Sequence, residues 1–466
     1  MSEFRDLVMR TAKEIADYRA AGTDDRVFPD LDTAELRAAF GGPLPQRPTP
    51  AGRVIDELVA AAAPGLVATT GPRYFGFVIG GALDSATAAE LLVTGWDQPA
   101  YNAVSAPAAA VAEEVSGEWL KEILGIPAAA SFGFVTGAQG ANTVGLAAAR
   151  HHVLRAAGHD VERDGLIGAP RVRVVAGVER HATVDRSLRL LGLGASAIEE
   201  VAADPNGAID VGDLARVLAK GPSGPTIVVA QSGNVNTGAC DDLAGVTAVA
   251  RGHDAWVHVD GAFGLWAASS ASTRHLVDGI EAADSWGCDG HKWLNVPYDS
   301  GYVFCAHPEA HAAAMAYTAA YLALPGALAV RAPGDFVPES SRRARGFATW
   351  AALRELGRGG IAELVERCCA LAKRFADQLD AADGVDVVND VVLNQVLVRF
   401  GTGADADRDA ATDRVLEVVQ RGGECWMGGT VWRGMHLMRI SVSNWSTTED
   451  DVDRSVAAVL AAARGV

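Results

Sequence analysis

Cysteine is scarce. Cys240, Cys288, Cys305, Cys368, Cys369 and Cys425 are the only six in 466 residues, and no two stand in a CxxC spacing. That excludes a disulfide-stapled scaffold and a zinc ribbon, and reduced thiols in a cytoplasm are the expectation. Basic residues are outnumbered: 40 Lys and Arg against 58 Asp and Glu leave a formal net charge of −18. Nucleic acid and anionic membrane surfaces are therefore not the expected partners, although a small anion held by local geometry is not excluded. Long apolar runs are missing too. No stretch reaches the roughly 20 residues needed to cross a bilayer. The opening MSEFRDLVMRTAKEIADYRAA mixes charges into an amphipathic pattern unlike a signal peptide. No internal repeat is visible.

What is present is an apolar fraction of 49%, enough for a sizeable core in more than one domain. Residues 1–70 read as a helical arm broken by the proline-rich GGPLPQRPTPAGR. The arm is too apolar to float free and is expected to pack on the main body or on a second subunit. Over 71–312, β-branched runs such as RVRVVAGV (171–178), PTIVVAQSG (225–233) and AWVHVDGAFG (255–264) alternate with helical stretches. Strands apolar throughout, joined by helical crossovers, predict an α/β domain with a mostly parallel sheet covered on both faces. Residues 313–466 read as a smaller α+β domain, with strands in GVDVVND and NQVLVRF and with Thr447 or Thr448 capping a final helix.

Four stretches carry chemistry. In FVTGAQGANTVGLAAARHHV (134–153) a strand end runs through Gly137 and Gly140 into a helix, a turn that can cradle an oxyanion or serve packing alone. In GVERHATVD, His181 follows a strand and opens a helical run; it either caps that helix or stacks on a flat ligand. GLGAS (192–196) lacks the third glycine of a dinucleotide fingerprint. In HVDGAFG, Asp260 ends a buried strand, where a carboxylate needs a cation or a strong donor. A metal held by His258 and Asp260 is the rival there, but no third ligand is evident. In DSWGCDGHKWLNVPYDSGYVFC, Lys292 sits between His291 and Trp293 in a loop punctuated by glycine and proline. Apolar crowding disfavours the charged ammonium and frees the amine as a nucleophile that can form an imine with an aldehyde. An anion cradle, a stacking ring, a buried acid and such a lysine together suit pyridoxal phosphate.

These residues reach a resemblance. HVDGAFG, DGHKWLN and QSGNVNTGACDDL are similar to motifs of the group II pyridoxal-phosphate-dependent amino-acid decarboxylases, the family of aromatic amino-acid and glutamate decarboxylases. The likeness runs from RYFGF (73–77) to the C-terminus. It implies a type I fold: a large domain with a seven-stranded, mostly parallel sheet, a small C-terminal domain, and a homodimer with shared sites into which the N-terminal arm swaps. By position, Lys292 would be the Schiff-base lysine and Asp260 the partner of the pyridine nitrogen. Ala262 and His181 would lie on the two ring faces. Ala138 and Gln139 would offer backbone N–H groups to the phosphate, helped by His291. Asn234 falls near the ring hydroxyl.

Three departures stand out. Asp289 replaces a phosphate-binding asparagine and is expected to turn away or use a water. GAQGAN replaces the usual phosphate turn. Pro333 aligns with the loop tyrosine that donates a proton, with Tyr317 and Tyr321 too early, so protonation would fall to His181, to a residue of the partner subunit or to water. The expected reaction is decarboxylation of an L-amino acid. Oxidative decarboxylation–deamination to an aldehyde, a carbon–carbon lyase or aldolase reaction, and a silent cofactor-binding protein are the alternatives. RYFGF, Trp96, NAVSAP and the 321–336 loop suggest an apolar or aromatic substrate. Arg73 would favour an acidic one if it faced the site. SRRARG (341–346) reads as a solvated helix face, ahead of the alternative that it anchors the 321–350 loop.

Overall fold

The computed structural model describes residues 2–21, 26–30, 32–317 and 331–465. They form two compact units, one of Gly80–Ala372 with Asn389–Gln395, the other of Met1–Ile79 with Lys373–Val388 and Val396–Val466. The sequence pattern puts its breaks near 70 and 312, and the differences come from pairings between residues far apart in the chain. Residues 71–79 include β1 (Tyr74–Phe75), which pairs with β11 (Trp426–Trp432), far along the chain. Residues beyond 312 are bound into the larger unit by a buried ion pair. Arg342 meets the fully buried Glu113 with both oxygens, at 2.8 and 2.9 Å. SRRARG is therefore no solvated face: Arg342 and Arg345 are buried, and only Arg343 of the three arginines is exposed.

The larger unit is built on a seven-stranded sheet. Its strands are β2 (Ser131–Val135), β3 (Arg173–Gly177), β4 (Ile198–Val201), β5 (Thr226–Gln231), β6 (Trp256–Asp260), β7 (Ser285–Asp289) and β8 (Gly301–Cys305). They lie in the order β2-β8-β7-β6-β5-β3-β4, and β8 runs antiparallel to its two neighbours. The β6–β7, β5–β6, β3–β5 and β3–β4 pairs are parallel. The runs RVVAG, TIVVAQ and WVHVD form strands because both faces are covered: Val174, Val175, Ile227, Val228, Val257 and Val259 are wholly inaccessible. The helix Ala138–Ala156 lies against this sheet through small residues, with Leu146, Ala148 and Ala149 in one cluster with Val174, Ile227 and Trp256. The register sets Gln231 beside Asp260 and Asp260 beside Gly287. Parallel strands thus deliver their carboxyl ends to one edge, where open α/β sheets hold ligands.

The smaller unit carries a five-stranded sheet, in the order β1-β11-β12-β10-β9, with β9 (Val385–Val387), β10 (Gln395–Phe400) and β12 (Met435–Ser441). Thr448 caps the helix Glu449–Arg464, in a capping box with Asp451. Arg73 is 2% exposed; its guanidinium donates to the Glu424 carbonyl at 2.7 Å and lies 3.6 Å from Asp451. A buried guanidinium needs such acids, so Arg73 carries no argument for an acidic substrate. Among the described residues no helix is long and apolar enough to cross a membrane.

Candidate active site

A cavity of about 360 Å³ opens at the carboxyl ends of β2, β5, β6 and β7. Lys292 reaches it from the turn after β7. Two glycines shape that turn by what they leave out. A Cβ at Gly290 would fall 2.2 Å from the Tyr302 hydroxyl, and one at Gly80 would fall 1.8 Å from the Lys292 carbonyl oxygen. Trp293 and Leu294 are buried, whereas the Lys292 side chain keeps 19% exposure. Its Nζ lies 3.1 Å from Asp289 Oδ2 and 5.7 Å from the Phe263 ring centre. One aromatic ring thus faces the amine, and a carboxylate is its partner.

Asp260 closes β6 and is buried. Burial pushes its carboxyl above the ordinary range, opposed by the charges of His181 and Lys292. His181 takes the capping place and stands at the cavity. It is the N-cap of the helix Ala182–Leu190, its ring accepting from Thr183 N–H at 3.3 Å, and it also lines the cavity. Ala262, Ala138, Gln139 and His291 line it as well. His291 Nδ1 accepts from Ser300 N–H at 3.1 Å, and its ring stacks on Tyr298 at 4.3 Å. Burial lowers the His291 pKa, with nearby Asp289 opposing the shift.

Asn234 is not brought to the cavity. It is buried in the loop after β5, where its amide donates to the Glu179 carbonyl at 3.0 Å and its oxygen accepts from Asn236 N–H at 2.8 Å. Asp289 does not turn away. Its Oδ1 accepts from Ala138 N–H at 2.5 Å, at the first turn of the helix Ala138–Ala156. Pro333 is buried in the short 3-10 helix Pro333–Phe336 and does not line the cavity; Tyr317 contacts Ser340; Tyr321 lies outside the described residues. Sequence reasoning did not single out Asn142, Thr183, Phe263 or Tyr298. Asn142 was discernible, one helical turn beyond Ala138 on the same face. The other three carry no signal of their own.

The His258 ring is unavailable to a metal, since Nδ1 meets Ser285 Oγ at 2.8 Å and Nε2 meets Asn142 Oδ1 at 3.1 Å. A larger groove of about 830 Å³ lies by Arg173, Thr226 and Trp256, at the amino-terminal starts of the strands. It has no lysine, and its Asp284 is already met by Arg251 and His307. Size alone therefore does not mark the site.

The smaller cavity suits pyridoxal phosphate. It offers a primary amine, a buried carboxylate for a ring N–H, and a helix N-terminus for a phosphate. The Gln139 Oε1 is buried without a hydrogen-bond partner. A Cβ at Gly137 would stand 2.8 Å from the His291 ring, so only a bare backbone leaves the cradle open.

Comparison with known proteins agrees. The chain is 28% identical to tryptophan decarboxylase 1 of Oryza sativa subsp. japonica, over 95% of this chain and 90% of that protein. It is 25% identical to 4-hydroxyphenylacetaldehyde synthase of Rhodiola rosea, over 86% and 82%. The crystal structure of Oryza sativa TDC with PLP and tryptamine shares the fold at a TM-score of 0.92 and 24% identity, over 100% of this chain and 98% of that one. The pyridoxal-dependent decarboxylase conserved domain matches residues 34–401. With most of its length inside that domain, the chain belongs to the pyridoxal-dependent decarboxylase family and is a pyridoxal-phosphate-dependent lyase that decarboxylates an amino acid.

Proposed function

We propose that the substrate is an L-amino acid with an aromatic or large apolar side chain, and that Lys292 and Asp260 carry the reaction. The observation behind this is the meeting of an amine from the turn after β7 with a buried carboxylate at the end of β6, in one cavity. Lys292 would bond the cofactor aldehyde, and Asp260 would hold a proton at the ring nitrogen. Ala262 and His181 would flank the ring. The N–H groups of Ala138 and Gln139, with His291, would hold the phosphate. Bound there, pyridoxal phosphate supplies an electron sink for the pair left behind as carbon dioxide departs. The aromatic preference is supported by Phe263, Val235 and Tyr298 in the lining, by the names of the relatives, and by the engagement of Arg73 with acids elsewhere.

A homodimer is part of the same proposal. Phe4, Met9 and Leu44 are 70%, 67% and 88% exposed in the N-terminal segment, more apolar surface than a helical arm leaves to water without a partner. Light scattering on the purified protein should give twice the chain mass; a monomer at micromolar concentration rejects this part. All six cysteines are free, in keeping with a reducing cytoplasm.

The reaction is tested by incubating reconstituted protein with a panel of L-amino acids while carbon dioxide, oxygen and aldehyde are followed. Carbon dioxide and amine from tryptophan, tyrosine or phenylalanine are expected, and Lys292→Ala should abolish both. Turnover confined to acidic amino acids would refute the substrate class. Oxygen uptake with aldehyde would move the chain to the chemistry named for its Rhodiola relative.

A further inference from the structure

His181 meets the first turn of its helix with one ring nitrogen. Nδ1 lies 3.3 Å from the Thr183 backbone nitrogen and 2.8 Å from the Thr183 hydroxyl oxygen. A peptide N–H only donates, so Nδ1 accepts from it and carries no proton. The Thr183 hydroxyl then gives its own proton to the same nitrogen. The opposite tautomer would set an Nδ1–H against the Thr183 N–H, and would leave a first-turn donor of the helix without an acceptor. In a neutral imidazole the bond made by one nitrogen decides where the proton sits, here on Nε2. That orientation of the ring follows from the hydrogen-bond network.

Thr183 is itself held. Its carbonyl accepts from Ser187 Oγ at 2.8 Å and from Gln139 Nε2 at 3.3 Å. Ser187 is fully buried, and Gln139 Nε2 lies 2.9 Å from its hydroxyl oxygen. A carbonyl oxygen takes only a donor, so the Gln139 amide turns its nitrogen this way. The same orientation leaves Gln139 Oε1 buried with no hydrogen-bond partner, a penalty that space-filling alone would not call for. Gln139 stands in the first turn of the helix Ala138–Ala156, and His181 caps the helix Ala182–Leu190. The two helices are thus tied at their starts, where Gln139, His181 and Thr183 all line the cavity.

We propose that Thr183 is a positioning residue for His181: its N–H and hydroxyl together keep the imidazole proton on Nε2, so that the ring has a donor and no acceptor left for the cavity it lines. Gln139 and Ser187 fix Thr183 by its carbonyl. The inference rests on the place proposed for His181 beside the cofactor ring. A ring free to change tautomer would offer a donor part of the time and an acceptor the rest.

The test uses the full chain with nitrogen-15 in its histidine rings, free of cofactor, in magic-angle-spinning NMR at pH 8, above the ordinary histidine pKa of about 6.5. His181 is one of 11 histidines and is recognised by the signals that His181→Gln removes. One protonated nitrogen, Nε2, and one bare nitrogen, Nδ1, are expected. A proton on Nδ1, or two averaged signals, would overturn the proposal. Thr183→Val deletes the hydroxyl and keeps the N–H. It should average the two signals in part. With pyridoxal phosphate and the fastest amino acid of the panel, it should lower kcat about fivefold, the worth of one neutral hydrogen bond, and leave KM nearly as it was. Thr183→Ser should recover most of that loss, and Gln139→Met should lower kcat by less. Where Thr183→Val does not fold, the spectrum of the parent decides alone. If His181→Gln leaves kcat unchanged, the reading of His181 fails and the positioning role with it. If His181→Gln lowers kcat while Thr183→Val alters only the melting temperature, the positioning role is overturned and His181 stands.

Discussion

Asp289 places a negative charge where the proposed phosphate would go. It accepts the Ala138 N–H at the helix start and pairs with Lys292. The first of these contacts is what a helix N-terminus offers any anion, so side chain and phosphate compete for it. Asp289→Asn should therefore tighten pyridoxal phosphate several-fold, in line with the ~1 kcal/mol scale of such charges. Pyridoxal, which lacks the phosphate, should bind as before. Absorbance titration with both aldehydes reads the difference, and equal changes for the two would refute the competition. At this scale the sequence said much about Lys292, Asp260 and His291, because a lysine among aromatics and an acid ending an apolar strand are locally anomalous. It said little about Asn142 or Asn234, whose roles depend on partners such as His258, 116 residues away, and the Glu179 carbonyl.

Elements behaved according to how much of their pattern is local. The strands within 171–178, 225–233 and 255–264 were readable as β-branched runs, and the final helix was readable from its cap. SRRARG was misread because Glu113, the partner that buries Arg342, is 229 residues distant. Removing one member of a buried pair strands the other charge. Arg342→Ala should thus cost about 3–5 kcal/mol in urea denaturation, whereas an apolar pair replacing both residues should come close to the parent. A loss under 1 kcal/mol for Arg342→Ala would mean that Arg331, 3.8 Å from Glu113, compensates its charge.

The molecule as a whole should be sensitive to mild acid. Burial holds His258 and His311 near pKa 3, against an ordinary value of 6.5. Below 6.5 the unfolded chain binds protons that the folded chain refuses, so stability falls as pH drops from 6.5 toward 3. The urea midpoint should decline between pH 7 and 5, and the decline should be smaller in His311→Asn; an unchanged slope in that variant would discount the histidine contribution. Sequence pattern foresaw the two kinds of architecture but not where the compact units part, since β1 finds its partner β11 some 350 residues later.

Gly80 extends its influence beyond its size. Its bare backbone braces the Lys292 carbonyl, leaving no space for even one methyl group. Gly80→Ala would shove the amine's own peptide out of line, and its turnover should collapse toward that of a lysine deletion although every ionisable group survives. An inert position could thus pass for a catalytic one in any mutational scan, and borohydride trapping of the cofactor would tell the displaced amine from a missing one.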